Sequence, residues 1–346
     1  MPTKVLTFFN SKSGSGKTAL TYTMAKAFVS VGYRVLMVDF DPKAALTALC
    51  IKEEPLMQLW CDNLGNTMYK CVSPKVRKPF ITQVDEGLGL LPGDPRLCRF
   101  EESLSDSWYQ AFDRGSEEHL LVVSAFHRII QSAARNFNAD WVFLDLGPYL
   151  SNINRAALLA ADYTVTPVGS DMRSMVGLRD TGDALYDWRL ALWEGTELSE
   201  DLEFDMPKGR IETLGYISLQ TSPKKIAKPI SYESTVRYYN TMLGIRKFTP
   251  DAGDWFGYNP TIPSSTESDP YFLGDASIDL TIRYRGQFDS ENVGFLPYHI
   301  RYATCDKYQA RLYAIARKII ERADRPSEEY DKELDRMYRS YYEWVR

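Results

Sequence analysis

A short segment rich in glycine, serine and lysine carries the residue types that bind phosphate: residues 10–18, with the sequence NSKSGSGKT. Gly14 and Gly16 allow backbone N–H groups to turn towards phosphate oxygens, and the positive end of a following helix would add to the attraction. Lys17 would reach the β- and γ-phosphates of a nucleotide, and Thr18 would offer its hydroxyl to Mg²⁺. The segment therefore predicts a nucleotide-binding loop.

A carboxylate at the end of an apolar run supplies a second chemical group. The sequence WVFLDLG, residues 141–147, brings four apolar residues into Asp145, with Gly147 two positions later. A buried strand that ends in a lone carboxylate is costly unless a cation meets the charge, and Mg²⁺ is the natural cation beside a phosphate loop. We expect Asp145 to be a magnesium ligand and Gly147 to be a backbone donor near the γ-phosphate. A helix-capping aspartate is the alternative.

The elements that would position these residues follow from apolar runs of strand length alternating with helical patterns. Most runs are continuous, as in VLTFF and VLMVDF, which is typical of strands buried on both faces. The alternation predicts an α/β, doubly wound, mainly parallel sheet with helices on both faces, whose ligands lie beyond the carboxyl ends of the strands. The predicted strands are residues 4–10, 34–40, 88–92, 141–147, 163–169, 213–220 and 293–298. The predicted helices are residues 18–31, 120–136, 152–161, 175–193 and 307–322.

Two long stretches interrupt this alternation. Residues 49–87 hold no convincing strand pattern, and residues 221–292 are far longer than an ordinary connection. We interpret both as insertions in a single domain, residues 1–325, followed by a helical C-terminal tail, residues 326–346.

Composition limits the classes of protein. The chain has 346 residues, a net charge of −5 and five scattered cysteines without a CxxC pair, so a polycation, a disulfide framework and a structural zinc site are not expected. It shows no apolar run of the roughly 18–20 residues that cross a bilayer, and no signal segment. A cytoplasmic protein without membrane partners is predicted.

The phosphate loop resembles the deviant Walker A of the ParA/MinD family of P-loop ATPases, whose pattern is KGGxGK[ST]. Lys12 stands at the early lysine, and Ser13 replaces the usual glycine. In that family the early lysine reaches the nucleotide of a partner subunit, so the resemblance implies that Lys12 acts across an ATP-bound homodimer. It likewise implies that Asp41, in the segment DFDP, orients the attacking water, and that Asp39 lies near the magnesium.

The resemblance continues beyond the loop. Residues 154–162, residues 165–168 and the Gly177-Leu178 step are similar to family segments. The segment FLPYHIR, residues 295–301, looks like the one that holds the adenine ring. The nucleotide-binding residues that follow are Ser13, Gly14, Ser15, Gly16, Lys17, Thr18, Ala19, Gly147, Gln220 and Pro297, with Lys12, Lys17 and Asp41 as catalytic residues and Thr18, Asp39 and Asp145 as magnesium ligands.

Two functions remain open at this level. The first is a ParA-like, dimerising molecular switch that hydrolyses ATP, for DNA or plasmid partition or intracellular positioning. Nonspecific DNA contacts would come from a basic stretch containing Lys224, Lys225 and Lys228, although a solvated loop is an equal interpretation of that stretch. The alternative is an ATP-gated component of a signalling or defence system, whose insertions bind an effector protein instead of DNA. In both, an unidentified protein partner is expected.

Overall fold

A computed structural model describes most of the chain. The described residues are 2–61, 67–72, 78–114, 116–169, 172–197, 202–219, 272–276 and 305–324. Within these ranges, no helix combines the length and the apolar character that crossing a membrane requires.

The strands of the described ranges form one sheet. They are β1 (Lys4–Phe8), β2 (Val35–Asp39), β3 (Thr82–Asp85), β4 (Leu88–Leu91), β5 (Trp141–Asp145), β6 (Tyr163–Val168), β7 (Glu212–Ser218) and β8 (Phe272–Asp275). Their order is β3-β4-β2-β5-β1-β6-β7-β8. Every neighbouring pair is parallel except β3 with β4. The prediction of a mainly parallel sheet is confirmed.

Helices cover both faces of the sheet. They are α1 (Lys17–Ser30), α2 (Ala45–Cys50), α3 (Glu53–Cys61), α4 (Met68–Cys71), α5 (Phe100–Arg114), α6 (Glu117–Val123), α7 (Ala125–Phe137), α8 (Asn152–Leu159), α9 (Met172–Glu197) and α10 (Cys305–Ala323). A 3₁₀ helix spans Pro95–Arg99. Buried side chains of α1, α2 and α10 form one core cluster with the sheet, and those of α5 to α9 belong to the other.

The central strand β5 shows why both faces are covered. Its residues alternate between the two core clusters, with Trp141 and Phe143 in one and Val142 and Leu144 in the other. Phe28 of α1 makes edge-to-face ring contacts with Trp141 and Phe143, at centroid distances of 5.1 and 5.0 Å. A strand that is apolar at every position therefore places α1, and the loop that precedes it, directly above the centre of the sheet.

The prediction that residues 49–87 hold no strand is wrong. The edge strand β3 runs antiparallel to β4 and carries the sequence TQVD, of which alternate residues are exposed. A four-residue strand that buries one side only has too few apolar residues to show a pattern. The same stretch contributes the helices α3 and α4.

The helical regions also differ in detail from the prediction. The helix expected at 120–136 is divided at Ser124 into α6 and α7, where the Ser124 hydroxyl donates to the carbonyl of Leu121 at 3.2 Å. Side-chain bonds of this kind compete with the regular helical pattern. The helix α5 was not predicted, because its sequence FEESLSDSWYQAFDR is largely polar and buries Leu104, Trp108 and Ala111.

Candidate nucleotide-binding site

The phosphate loop connects β1 to α1, and β1 lies between β5 and β6 in the sheet. Gly14 and Gly16 have φ angles of +71° and +77°, in the left-handed region that glycine adopts without strain. Gly16 is the N-cap of α1, which begins at Lys17. The loop therefore turns directly into the positive end of a helix at the point where the chain order of the sheet reverses, which is where open α/β sheets bind ligands.

Lys17 is held inside the loop. Its ammonium donates to the carbonyls of Asn10 and Lys12 at 2.9 and 3.0 Å, and its side chain is buried. Burial lowers the pKa of Lys17 to about 8, although Asp145 and Asp41 oppose the shift. The acceptors that it contacts are neutral, so a phosphate group would supply the direct anionic partner that the loop does not.

Asp145 is a buried carboxylate without a hydrogen-bond donor. It is fully buried at the end of β5, and neither of its oxygens accepts a hydrogen bond from the described residues. Burial, and then the charge of Asp39, raise the pKa of Asp145 well above its usual value; the Thr18 hydroxyl opposes that shift without reaching hydrogen-bond geometry. An ionised carboxylate in this position is costly until a cation meets it.

The residues present fit a magnesium ion that is bound together with a nucleotide. Among the described residues, no group of three His, Cys, Asp or Glu side chains forms a complete metal site. Mg²⁺ does not need one, because it commonly binds one or two carboxylates together with water and substrate phosphates. Asp145, with the Thr18 hydroxyl near it, would supply that partial set of ligands.

Asp39 occupies a different environment, although it is the register neighbour of Asp145 on β2. Its Oδ2 accepts hydrogen bonds from the backbone N–H and the hydroxyl of Thr47 at 2.9 and 2.6 Å. Its Oδ1 accepts from the N–H of Asp41 at 3.2 Å. Burial raises the pKa of Asp39 to about 7, against the effect of the Thr47 hydrogen bonds. Because both oxygens already have donors, its role as a direct magnesium ligand stays a prediction.

Asp41 and Gly147 come together from the loops after β2 and β5. A Cβ atom placed on Gly147 would lie 3.2 Å from Oδ1 of Asp41, so the absence of a side chain permits the close approach. Asp41 is 9% exposed, and its Oδ1 accepts a hydrogen bond from the N–H of Lys43 at 2.9 Å. The predicted water-positioning carboxylate and the predicted backbone donor are therefore neighbours.

Lys12 and the start of the loop pack against α9. The Lys12 ammonium donates to the hydroxyl of Ser174 at 3.2 Å, and the side-chain amide of Asn10 donates to the carbonyls of Pro167 and Ser174, both at 3.1 Å. The hydroxyl of Ser11 donates to the carbonyl of Gly177 at 3.2 Å. The sequence singled out Lys12 and the Gly177-Leu178 step separately, but it predicted none of these contacts between them.

Two residues beside the site were not assigned a role from the sequence. Asn154, at the start of α8, donates its side-chain amide to carbonyls of the loop after β5. Tyr149, in that loop, has a φ angle of +74°. Asn154 opens the segment 154–162 that resembles a family helix, and this similarity was the signal in the sequence, although it did not indicate the contacts with the loop five to seven positions earlier.

Several predicted residues cannot be placed. Gln220, Pro297 and the basic residues Lys224, Lys225 and Lys228 lie outside the described residues, as do the predicted strand 293–298 and the tail 326–346.

Comparisons with known sequences cover the segments that form this site. The sequence model of the AAA domain family matches residues 3–186, which include the phosphate loop, Asp41, Asp145 and Lys12. A Rhizobium rhizogenes protein named as a candidate replication protein A is 31% identical over 180 residues, covering 50% of this chain and 42% of that protein. The chromosome-partitioning ATPase Soj of Thermus thermophilus is 26% identical, covering 49% of this chain and 56% of that protein. The sporulation initiation inhibitor Soj of Bacillus subtilis is also 26% identical, covering 51% and 62%.

The chain thus spans about half the length of the curated relatives that it matches. Solved structures cover more of it and establish the fold. A Corynebacterium diphtheriae protein superimposes with a TM-score of 0.68 at 21% identity, covering 93% of this chain and 99% of that one. The ATP complex of a Cyanothece McdA variant has a TM-score of 0.57 at 14% identity, covering 92% and 96%. The pNOB8 ParA protein bound to nonspecific DNA has a TM-score of 0.56 at 17% identity, covering 93% and 99%.

Proposed function

The chain belongs to the AAA domain family and is ParA-like, and on that premise we propose that it is a magnesium-dependent ATPase that pairs with a second copy when ATP binds. It would act as a molecular switch in DNA or plasmid partition or in intracellular positioning. The relatives named for partition, together with the McdA protein solved with ATP, support this assignment.

The observation that carries the proposal is a buried cation and a buried anion in one crevice, neither of which forms an ion pair with a described residue. Lys17 is a buried cation bonded to neutral carbonyls, and Asp145 is a buried anion without a donor. Each raises the stability of the other's charged form from across the phosphate loop. A triphosphate with a magnesium ion would supply a counterion to both, whereas a purely structural loop would have no reason to bury either.

The chain's own residues then have distinct tasks. The loop N–H groups and Lys17 bind the phosphates, while Thr18 and Asp145 hold Mg²⁺, which when bound would neutralise charge that builds up on the phosphates. Asp41, adjacent to Gly147, orients the attacking water. Lys12 from a second copy stabilises the charge of the transition state, in the manner of an arginine finger worth about 10³–10⁵ in rate.

Titration calorimetry with MgATP and a phosphate-release assay test the proposal. We expect Lys17→Ala to abolish binding, because the β- and γ-phosphates lose their main counterion. Asp41→Ala should bind ATP but release phosphate slowly. Lys43→Ala is the matched control, because Lys43 is an exposed lysine beside the same crevice and should bind ATP normally. Undiminished ATP affinity in Lys17→Ala would refute the assignment.

The DNA part of the proposal has its own test. The basic stretch that contains Lys224, Lys225 and Lys228 supports weak, salt-sensitive contacts with DNA phosphates. Retention on a nonspecific duplex in the presence of ATP should fall as salt rises, and should be lost when the three lysines are changed to alanine. ATP turnover without any DNA retention would favour the alternative, an ATP-gated component of a signalling or defence system that binds an effector protein.

A further inference from the structure

Asn154 makes an unusual set of contacts with the loop that follows β5. Its side-chain amide nitrogen donates to the carbonyls of Gly147 at 3.0 Å and Tyr149 at 2.7 Å, and lies 3.4 Å from the carbonyl of Pro148. The residue is 1% exposed. The two N–H bonds of one buried amide therefore hold the carbonyls of Gly147 and Tyr149, which would otherwise have to find water or other donors.

The loop held in this way is strained at Tyr149. A φ angle of +74° is unfavourable for a side chain that carries a Cβ atom, and such conformations persist only where the surroundings enforce them. The ring is 68% exposed, so its packing cannot enforce the conformation. The enforcement comes from the backbone, because the Tyr149 N–H donates to the carbonyl of Ser11 at 2.9 Å while Asn154 holds the Tyr149 carbonyl.

Asn154 is itself rigidly mounted. The Ser151 side chain caps α8 by accepting a hydrogen bond from the Asn154 N–H at 3.2 Å. Glu101 of α5 accepts from the N–H groups of Asn152 and Ile153 at 2.7 and 3.0 Å. The first turn of α8 is therefore anchored to a neighbouring helix. This anchoring fixes the position of the Asn154 side chain, whose hydrogen bonds to residues 147–149 we call the clamp.

The loop that Asn154 holds, residues 147–149, contacts both Asp41 and the phosphate loop. Through Gly147 it lies against Asp41, and through Tyr149 it is bonded to Ser11 in the phosphate loop. A change in the path of residues 147–149 would move the backbone that faces the water-positioning carboxylate. The Lys17 ammonium is held by the carbonyls of Asn10 and Lys12 and makes no hydrogen bond to residues 147–149.

We propose that Asn154 is a positioning residue for hydrolysis, which holds residues 147–149 in the strained path that sets Gly147 against Asp41. The effect on turnover rests on the proposed ATPase function. The effect of Asn154 on the path of residues 147–149 does not depend on that function. It assigns to Asn154 an effect on the rate of turnover and none on nucleotide affinity.

The first test compares Asn154→Asp and Asn154→Ala with the wild type. Asp keeps the shape of the side chain but places a carboxylate oxygen against the carbonyls of Gly147 and Tyr149, and Ala removes the side-chain hydrogen bonds. We expect kcat to fall on the order of 100-fold in both, the loss typical of a small misplacement at a reacting centre, with the dissociation constant for MgATP unchanged. Asn152→Ala, two residues earlier on the same helix, is the matched control and should keep wild-type turnover.

The second test is rescue. Glycine adopts a φ angle of +74° without strain. In Tyr149→Gly the loop therefore no longer needs the Asn154 hydrogen bonds to hold a strained backbone conformation. The double variant Asn154→Ala/Tyr149→Gly should recover much of the lost kcat. A merely structural role for Asn154 would lower the melting temperature without this recovery, and that result would overturn the proposal, as would wild-type kcat in folded Asn154→Asp.

A third measurement separates this inference from the proposed function. Hydrogen exchange of the Tyr149 amide, which donates to Ser11, should be slow in the wild type and faster in Asn154→Ala, whether or not the protein hydrolyses ATP. If the wild type shows no ATP turnover, the proposed function fails while the exchange result still tests the clamp. Equal protection of this amide in both proteins would overturn the clamp.

Discussion

Asp39 and Asp145 stand opposite each other at the ends of neighbouring strands, and both are fully buried. Three hydrogen bonds reach the oxygens of Asp39, two from Thr47 and one from Asp41, whereas none reaches Asp145 from the described residues. Burial raises the pKa of both carboxyl groups, but only Asp39 has hydrogen bonds that oppose the shift from within its own surroundings. The hydrogen bonds of Asp39 fix the loop after β2, whereas the burial of an ionised Asp145 is unfavourable unless a cation or a proton neutralises it.

Isosteric amides should reveal this difference. In metal-free buffer at neutral pH we expect Asp145→Asn to raise the stability of the protein by about 1–3 kcal/mol, a few degrees in Tm, because burial raises the pKa of this carboxyl group and so makes its folded environment unfavourable at that pH. Asp39→Asn should lower stability by a similar amount, because the amide nitrogen cannot accept from Thr47 or Asp41. Thermal unfolding with a chelator, and then with MgATP, measures both effects.

The MgATP arm gives the matching functional result. Wild-type protein should be stabilised by MgATP, and Asp145→Asn should lose most of that shift, since ligand stabilisation follows affinity. A destabilised Asp145→Asn in metal-free buffer would show that the carboxylate has a protein partner after all.

At the scale of elements, α9 is the helix that fixes the path of the phosphate loop. Gly177 lies directly against the loop: a Cβ atom there would lie 2.6 Å from Oδ1 of Asn10 and 2.8 Å from Oγ of Ser11. Both of those residues bond to α9 or to the strand before it. The glycine is therefore required by packing between two elements, and not by its own backbone angle.

Gly177→Ala tests this contact. The added methyl group should force α9 and the loop apart, costing about 1–3 kcal/mol of stability and weakening ATP binding through displaced loop N–H groups. Chemical denaturation and titration calorimetry measure the two losses. Ser11→Ala in the same chain removes one of the two close atoms and should restore part of each, while an unchanged ATP affinity in Gly177→Ala would mean that the loop does not depend on α9.

At the scale of the whole molecule, the question is whether one chain completes the site. Lys12 bonds to Ser174 of its own chain, so reaching a partner's nucleotide would require the lysine to exchange that hydrogen bond for a phosphate contact. Pairing around ATP would then be coupled to release of Lys12 from α9. Such coupling would make the protein a switch, because turnover would depend on the concentration of the protein as well as on that of ATP.

Lys12→Ala should separate binding from pairing. We expect it to bind MgATP as the wild type does, because Lys17 and the loop N–H groups remain, but to stay monomeric and to turn over slowly. Light scattering with a slowly hydrolysed ATP analogue should show a doubled mass for the wild type only. A dimer of Lys12→Ala with full turnover would remove the lysine from its role in a partner's site.

Much of the fold and the core of the site can be predicted from the sequence, because the signals are local. Residues 10–18 combine a glycine spacing, a lysine and a strand-to-helix context within nine positions, and the run into Asp145 is equally compact. Continuous apolar strands made the parallel sheet and its helices on both faces predictable. The short edge strand Thr82–Asp85 and the polar helix Phe100–Arg114 were not predicted, because their burial depends on partners that are distant in sequence.

The amino-acid sequence alone therefore determined which groups could bind a nucleotide, but the tertiary structure decided how those groups are held. Thr47 reaches Asp39 across eight positions and Gly93 across 46, and Ser11 meets Gly177 across 166. Only the folded chain shows that, among the described residues, the carboxylate of Asp39 accepts hydrogen bonds and that of Asp145 does not. Only the folded chain places the Asn154 amide against a strained loop. The physical reason is that a hydrogen bond requires donor and acceptor within about 3 Å, and the packing of whole elements sets that distance.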